Sequence, residues 1–191
     1  MDALQIRLTP EGHGWTQFEL LAGAQHSSFL TSNLGPDPLA EMLRLALEAL
    51  TVWQDEGPAL APHLSIELYG EPSALLIRLF PAAAAGARLV AYFCEDVDFV
   101  QPRSVEHRPD KTIVFEVEVG RVAFAHEVLR VASGTLAHFG FSGYDEDWGE
   151  YPTAALLRLS RTLLDRSATA GADLEADIDA LLALCGQQPA S

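Results

Sequence analysis

The fold is decided by residues 112–148, which read TIVFEVEVGRVAFAHEVLRVASGTLAHFGFSGYDEDW. Apolar side chains occupy every second position in the first nine residues: Ile113, Phe115, Val117 and Val119. This alternation is typical of a β-strand with one buried face, and the two glutamates between the apolar residues then face water.

From Gly120 onward the apolar spacing is that of an α-helix. Steps of three and four residues place one set of side chains on a single stripe: Val122, Ala125, Leu129, Ala132, Leu136 and Phe139. We expect this stripe to lie on the sheet. Gly134 costs about 1 kcal/mol relative to alanine inside a helix, so either a neighbouring backbone approaches it closely or the helix breaks there, and we favour the close approach.

The chain before this stretch predicts further strands and one helix. Residues 4–8 and 15–21 alternate around a Pro-Glu-Gly-His-Gly turn, which predicts a β-hairpin, and the serines that follow it are placed in a loop. Asp37 followed by Pro38 is a typical helix start, and this helix is expected to end by about residue 55. Three apolar segments predict further strands: residues 64–68, 74–80 and 89–94.

The segment after residue 151 predicts two more helices, one opened by Pro152 and a last one over residues 173–185. The expected order is therefore ββ-α-ββββ-α-α-α. Short connections between strands favour antiparallel pairing. The sequence predicts an α+β fold with a single antiparallel sheet of about six strands, helices on at least one face, one domain over residues 1–186, and a disordered tail over residues 187–191.

Composition limits the classes of partner. The net charge of −15 is spread over both halves of the chain, which disfavours nucleic acid and anionic membranes and favours basic partners or cations. The alternative interpretation is that the acidic surface only keeps the protein in solution. No apolar run is long enough for a membrane helix, and no basic, apolar leader opens the sequence, so a cytoplasmic location is expected. Cys94 and Cys185 lack metal-ligand spacing and are expected to be small apolar residues.

The densest polar cluster follows the long helix and is expected to form a loop. Its candidate partner-binding residues are Tyr144, Asp145, Glu146, Asp147, Trp148 and Glu150. Carboxylates between aromatic residues can present an anionic surface to a basic protein, or the aromatic residues can simply anchor a solvated cap. The spacing does not fit a calcium-binding loop, and no metal or cofactor is expected.

Other catalytic patterns fail on spacing. The sequence His126-Glu127-Val128-Leu129-Arg130 begins like a zinc-protease helix, but an arginine stands where the second histidine is needed. A serine lies between glycines at residues 140–143, yet the glycine that a nucleophile elbow requires is replaced by Tyr144.

Two groups of residues together resemble a family of small uncharacterised bacterial α+β proteins, which are loosely similar to toxin-immunity proteins. The first is the segment FLTSNL at residues 29–34, before a helix; the second comprises Gly143, Tyr144, Trp148, Tyr151, Pro152, Leu156 and Leu159. The resemblance covers most of residues 3–165, and the Gly35–Pro38 segment departs from it. The resemblance implies a fold but no reaction, so it assigns a function to no residue of this chain.

Three functions are consistent with the sequence. The preferred one is a non-enzymatic interaction module, similar to an immunity protein or inhibitor, that binds a basic partner. The second is an enzyme that binds a small molecule or metal between sheet and helix, near His126 or the acidic segment. The third is a homodimeric structural module that makes its contact through residues 89–94, which are apolar on both faces.

Overall fold

The computed structural model describes residues 3–54, 62–83, 85–97 and 105–166. Within them lie seven strands and three α-helices: β1 (Gln5–Gly12), β2 (Trp15–Ala22), β3 (Gln25–Ser32), α1 (Pro38–Thr51), β4 (Leu64–Gly70), β5 (Ser73–Pro81), β6 (Gly86–Cys94), β7 (Thr112–Gly120), α2 (Arg121–Trp148) and α3 (Thr153–Arg166). Short 3₁₀ helices occupy Val52–Gln54 and Val105–His107. The α+β class and the antiparallel pairing are confirmed.

The strands form two sheets, so the prediction of a single six-stranded sheet is wrong. The first sheet has the order β1-β2-β3 and the second the order β4-β5-β6-β7, and every pair is antiparallel. The predicted loop after the first hairpin is in fact β3, in which Ser27 pairs with Leu20 and His26 with Leu21. The first four residues of β3 are polar, because this half of the strand lies outside the core and is held by backbone pairing.

The change from strand to helix at Gly120 is confirmed, with β7 ending there and α2 beginning at Arg121. Phe115 and Val119 are buried as predicted, but Ile113 is 56% exposed. The ladder between β6 and β7 is irregular at Ala91 and Tyr92, where Ile113 pairs with Tyr92 and Phe115 with Ala91. The extra residue reverses the alternation, so Ile113 lies on the face opposite to that of Phe115.

The apolar stripe of α2 is confirmed over its central turns. Ala125, Leu129, Ala132 and Leu136 are buried in the main core. Val122 is 42% exposed, contrary to the prediction. It has nearly the angular position of Leu129 but lies two turns earlier, in the first turn of the helix, where the core does not reach it.

The acidic segment was expected to form a loop, but residues 143–148 belong to α2. The helix is interrupted at Gly140, which has φ 65° and ψ −176°, and helical geometry resumes after it. Phe141, Tyr144 and Trp148 are spaced three and four residues apart, as residues on one side of a helix are. This helical spacing is present in the sequence, but the surrounding glycines and acidic residues are typical of a loop and led to the wrong prediction.

The remaining helices begin as predicted. The carboxylate of Asp37 accepts a hydrogen bond from the backbone N–H of Leu39 at 2.8 Å, and Pro38 occupies the first helical position of α1. Helix α3 follows Pro152 and buries Leu156, Leu159 and Leu163. The helix predicted for residues 173–185, Cys185 and the tail of residues 187–191 lie outside the described residues.

The second sheet is covered on both faces. One face joins the main core with the three helices, and the other carries a smaller cluster of buried residues: Ala74, Leu76, Cys94, Val97 and Val105. The two-sided apolar pattern of β6 therefore matches a central strand, because Leu89, Val90 and Ala91 are buried within one chain. Among the described helices, none combines the length and the apolar character needed to span a membrane.

The close approach expected at Gly134 is absent, and it occurs instead at Gly70. A Cβ atom placed on Gly134 would meet no atom within 4 Å, and this glycine is exposed on α2. A Cβ atom on Gly70 would lie 2.1 Å from the carbonyl oxygen of Leu30, at the point where β3 passes β4. The two sheets can therefore approach each other only because residue 70 lacks a side chain.

Alanine substitutions distinguish these two glycines. Gly134→Ala is expected to raise the free energy of unfolding by about 1 kcal/mol, because alanine is the better helix former and meets no neighbour. Gly70→Ala is expected to lower it by roughly 1–3 kcal/mol, because the added methyl group overlaps the carbonyl oxygen of Leu30. Urea unfolding followed by circular dichroism measures both, and destabilisation by Gly134→Ala would contradict the open environment of that glycine.

Candidate interaction surfaces

The predicted partner-binding residues divide into two sets in the structure. Asp145, Glu146 and Glu150 are exposed at the C-terminal end of α2 and just beyond it. Tyr144 is buried and Trp148 is partly buried. The side chain of Asp147 lies outside the described part of the chain. The aromatic residues therefore belong to the core, and three of the carboxylates face solvent.

Tyr144 ties the end of α2 to the start of α1. Its hydroxyl donates a hydrogen bond to Oδ1 of Asp37 at 2.6 Å, the same oxygen that accepts from the backbone of Leu39. Burial raises the pKa of Asp37 above its ordinary value, although the bond from Tyr144 acts in the opposite direction. Burial and the neighbouring carboxylate also raise the pKa of Tyr144, so its hydroxyl stays protonated and remains a donor.

Trp148 makes a second attachment, to the first sheet. Its indole Nε1 donates to Oγ1 of Thr16 at 2.8 Å. Tyr151 donates its hydroxyl to the carbonyl oxygen of Ala132 at 2.7 Å, and its ring lies edge-on to the ring of Tyr144, with centroids 5.1 Å apart. The carboxylates of this segment are thus carried on backbone that is attached to α1, to β2 and to the middle of α2.

A second polar cluster, on the outer face of the second sheet, is centred on Glu106. Its carboxylate accepts hydrogen bonds from Nε2 of His63 at 2.7 Å, Oγ of Ser65 at 2.8 Å and Nη2 of Arg78 at 2.8 Å. Its carbonyl oxygen accepts from Arg78 at 2.9 Å and from Nζ of Lys111 at 2.6 Å. Sequence reasoning missed this cluster, because the three side chains that bond to the carboxylate are 28–43 residues away from Glu106, just before β4, in β4 and in β5.

The electrostatics of Glu106 favour its charged form. Burial opposes ionisation, but the hydrogen bonds from His63 and Ser65 and the charge of Arg78 together lower the pKa of Glu106. The guanidinium of Arg78 also lies 5.4 Å from the centre of the Tyr92 ring. With its side chain 19% exposed, Glu106 attaches the 3₁₀ helix at Val105–His107 to the sheet. In the described residues no group of three or more His, Cys, Asp or Glu is arranged to hold a metal ion.

The third feature is a groove of about 330 Å³ between β1 and α2. It is lined by Ile6, Arg7, Leu8, Thr9, Pro10, Arg130, Val131, Gly134, Thr135, His138 and Phe139. The helix segment rejected as a zinc motif lies beside it. Glu127 and Arg130 form an ion pair at 2.7 Å and also bond to the backbone of Ile6, so they join α2 to the edge of the first sheet.

Replacement of Tyr144 tests the attachment of the acidic segment. At neutral pH, Tyr144→Phe is expected to lower the free energy of unfolding by roughly 1.5–3 kcal/mol, because a buried carboxylate loses a donor. The hydrogen bond lowers the pKa of Asp37, so it contributes stability above that pKa and the contribution is lost as the pH falls through it. The destabilisation is therefore expected to decrease on mild acidification, as measured by urea unfolding.

Tyr151→Phe is the matched control. It removes a hydrogen bond to an uncharged carbonyl oxygen, so its cost of about 1 kcal/mol is expected to stay constant over the same pH range. Equal pH dependence in the two variants would contradict the assignment of the Tyr144 partner.

Comparison with protein-family models, with curated proteins and with solved structures found no match to this chain. The resemblance to immunity-like bacterial proteins, drawn from residues 29–34 and from the residues around Tyr144 and Tyr151, therefore stays a prediction.

Proposed function

We propose that this chain is a non-enzymatic interaction module, of the immunity or inhibitor kind, that binds a basic protein through the acidic end of α2. One observation carries the proposal. Asp145, Glu146 and Glu150 are exposed, whereas the aromatic residues of the same segment are hydrogen bonded to α1 and β2. The exposed carboxylates therefore belong to a backbone segment that the hydrogen bonds of Tyr144 and Trp148 hold in place.

Anchoring of this kind favours binding for an entropic reason. A mobile acidic segment must be ordered when a partner binds, and ordering opposes association. Here the hydrogen bonds of Tyr144 and Trp148 order the backbone before the partner arrives. The net charge of −15 adds a long-range field that accelerates encounters with a basic protein and weakens with salt.

A small-molecule site between sheet and helix is the second candidate, and the groove between β1 and α2 favours it. The volume of about 330 Å³ lies at the lower end of the range of small-molecule pockets. Polar lining residues, including Arg7, Arg130 and His138, lie among apolar ones in this groove. The interaction module remains the preferred proposal, because this arrangement assigns no reacting group.

The test uses purified basic proteins encoded beside the gene for this chain, with affinity measured by titration calorimetry at low and high salt. The interface variant combines Asp145→Asn, Glu146→Gln and Glu150→Gln, which removes three charges and keeps the side-chain shapes. Its affinity for the partner is expected to be at least about tenfold weaker than that of the unchanged chain, equivalent to about 1.4 kcal/mol. The salt dependence of binding is expected to be smaller as well.

The control variant combines Glu71→Gln, Glu95→Gln and Glu118→Gln, three exposed positions in or beside the second sheet. It changes the net charge by the same amount, so it isolates the local contribution of the α2 end from that of the overall field. Equal loss of affinity in the two variants, or no binding to any basic protein at low salt, would contradict the proposal.

A further inference from the structure

The groove between β1 and α2 lies at an open edge of the first sheet. β1 is the first strand of the β1-β2-β3 order, so among the described strands only β2 pairs with it, along one of its two edges. The other edge faces α2, and the groove separates them over residues 6–10. Unpaired strand edges carry backbone N–H and C=O groups that are suited to bind an added extended segment.

At Ile6 this edge is already bonded, by side chains of α2. The N–H of Ile6 donates to Oε1 of Glu127 at 2.6 Å, and its carbonyl oxygen accepts from Nη2 of Arg130 at 3.0 Å. Backbone groups of alternate residues point to the same edge of an antiparallel strand. The N–H and C=O of Leu8 therefore point to the same side as those of Ile6, into the groove.

The polar lining of the groove includes basic side chains, whereas the whole chain is acidic. The described lining includes Arg7, Arg130 and His138 and no carboxylate, and Glu127, which is paired with Arg130, lies beside the groove. Arg130 is bonded through Nε and Nη2, whereas Arg7 forms no ion pair within the part of the chain that the structure describes. The charge of Arg7 therefore favours an acidic ligand in this groove, although the net charge of the whole chain is −15.

The groove is open at Gly134, because this residue has no side chain to fill it. Glycine here makes the helix less stable than alanine would. Gly134 lies one turn after Arg130 and one turn before His138, on the face of α2 that lines the groove. Glycine at a helix interior costs about 1 kcal/mol relative to alanine. No neighbouring atom requires a glycine here, since a Cβ atom would meet nothing within 4 Å. Its structural consequence is the free space between Arg130 and His138.

We propose that this groove binds a short, extended, acidic peptide segment of a partner protein. The peptide backbone pairs with the N–H and C=O of Leu8, and its carboxylates contact Arg7, Arg130 and His138. The segment is short, because Glu127 and Arg130 occupy the edge at Ile6, and Pro10 has no N–H to donate. The proposal goes beyond the function proposed above, since it concerns a second surface of opposite charge.

The test uses the full chain and two fluorescein-labelled, terminally blocked hexapeptides, one alternating valine with glutamate and the other valine with lysine. Fluorescence anisotropy is expected to show binding of the glutamate peptide and no binding of the lysine peptide. In ¹H–¹⁵N NMR spectra the amide of Leu8 is expected to shift on titration with the glutamate peptide. Arg7→Gln combined with His138→Gln is expected to weaken binding at least about tenfold, about 1.4 kcal/mol.

Gly134→Leu is designed to fill the groove while preserving the helix. Leucine is a better helix former than glycine, so this variant is expected to stay folded, and urea titration separates loss of binding from unfolding. Its affinity is expected to fall at least tenfold. Ala123→Leu is the matched control: it places the same side chain on an exposed position of α2, three turns away from Gly134, and is expected to change affinity less than twofold.

Several results would overturn the proposal: no binding of the glutamate peptide, equal binding of the lysine peptide, or unchanged affinity in Gly134→Leu. If succinate competes as well as the peptide does and the Leu8 amide does not shift, the groove binds free carboxylates and the backbone pairing is wrong. The Asp145, Glu146 and Glu150 variant described above is expected to bind the peptide normally, so the two proposals fail independently.

Discussion

Burial of the apolar stripe on α2 is the constraint on which the rest of this structure depends. Leu129, Ala132 and Leu136 lie in the main core, and α2 contacts β1, β7, α1 and α3. The free energy of burying such side chains, about 1.5–3 kcal/mol for each large one, outweighs the cost of a glycine within the helix. Because the core holds α2 in place, the polar side chains on the other faces of the helix are held in fixed positions.

Those faces carry both candidate interaction surfaces. The middle turns of α2 present Arg130, Gly134 and His138 to the groove beside β1. After the interruption at Gly140, the helix presents Asp145 and Glu146 to solvent. One helix thus carries basic side chains at a groove and carboxylates at its end. The positive φ of Gly140 allows the two parts of the helix to follow different directions.

In the described part of the chain, hydrogen bonds from side chains join distant segments that no backbone pairing connects. Glu127 and Arg130 bond to the backbone of Ile6 as a neighbouring strand would. Glu106 collects donors from three side chains and attaches a 3₁₀ helix to the second sheet. Tyr144 and Asp37 connect the ends of two helices. Each of these contacts joins residues that are distant in sequence, and each is partly shielded from water, where such bonds are stronger.

The sequence by itself determined the features that depend on neighbouring residues: the change from strand to helix at Gly120, the start of α1 at Asp37 and Pro38, the antiparallel pairing, and the exposed acids after Gly140. These features follow from side-chain period, capping chemistry and connection length, which act within a few residues. Only the tertiary structure decided the division into two sheets, the polar strand β3, the Glu106 cluster and the groove beside Gly134. These features depend on contacts between distant segments, such as Tyr144 with Asp37 and Gly70 with Leu30. The spacing of apolar residues within one segment does not predict which distant residues will be in contact.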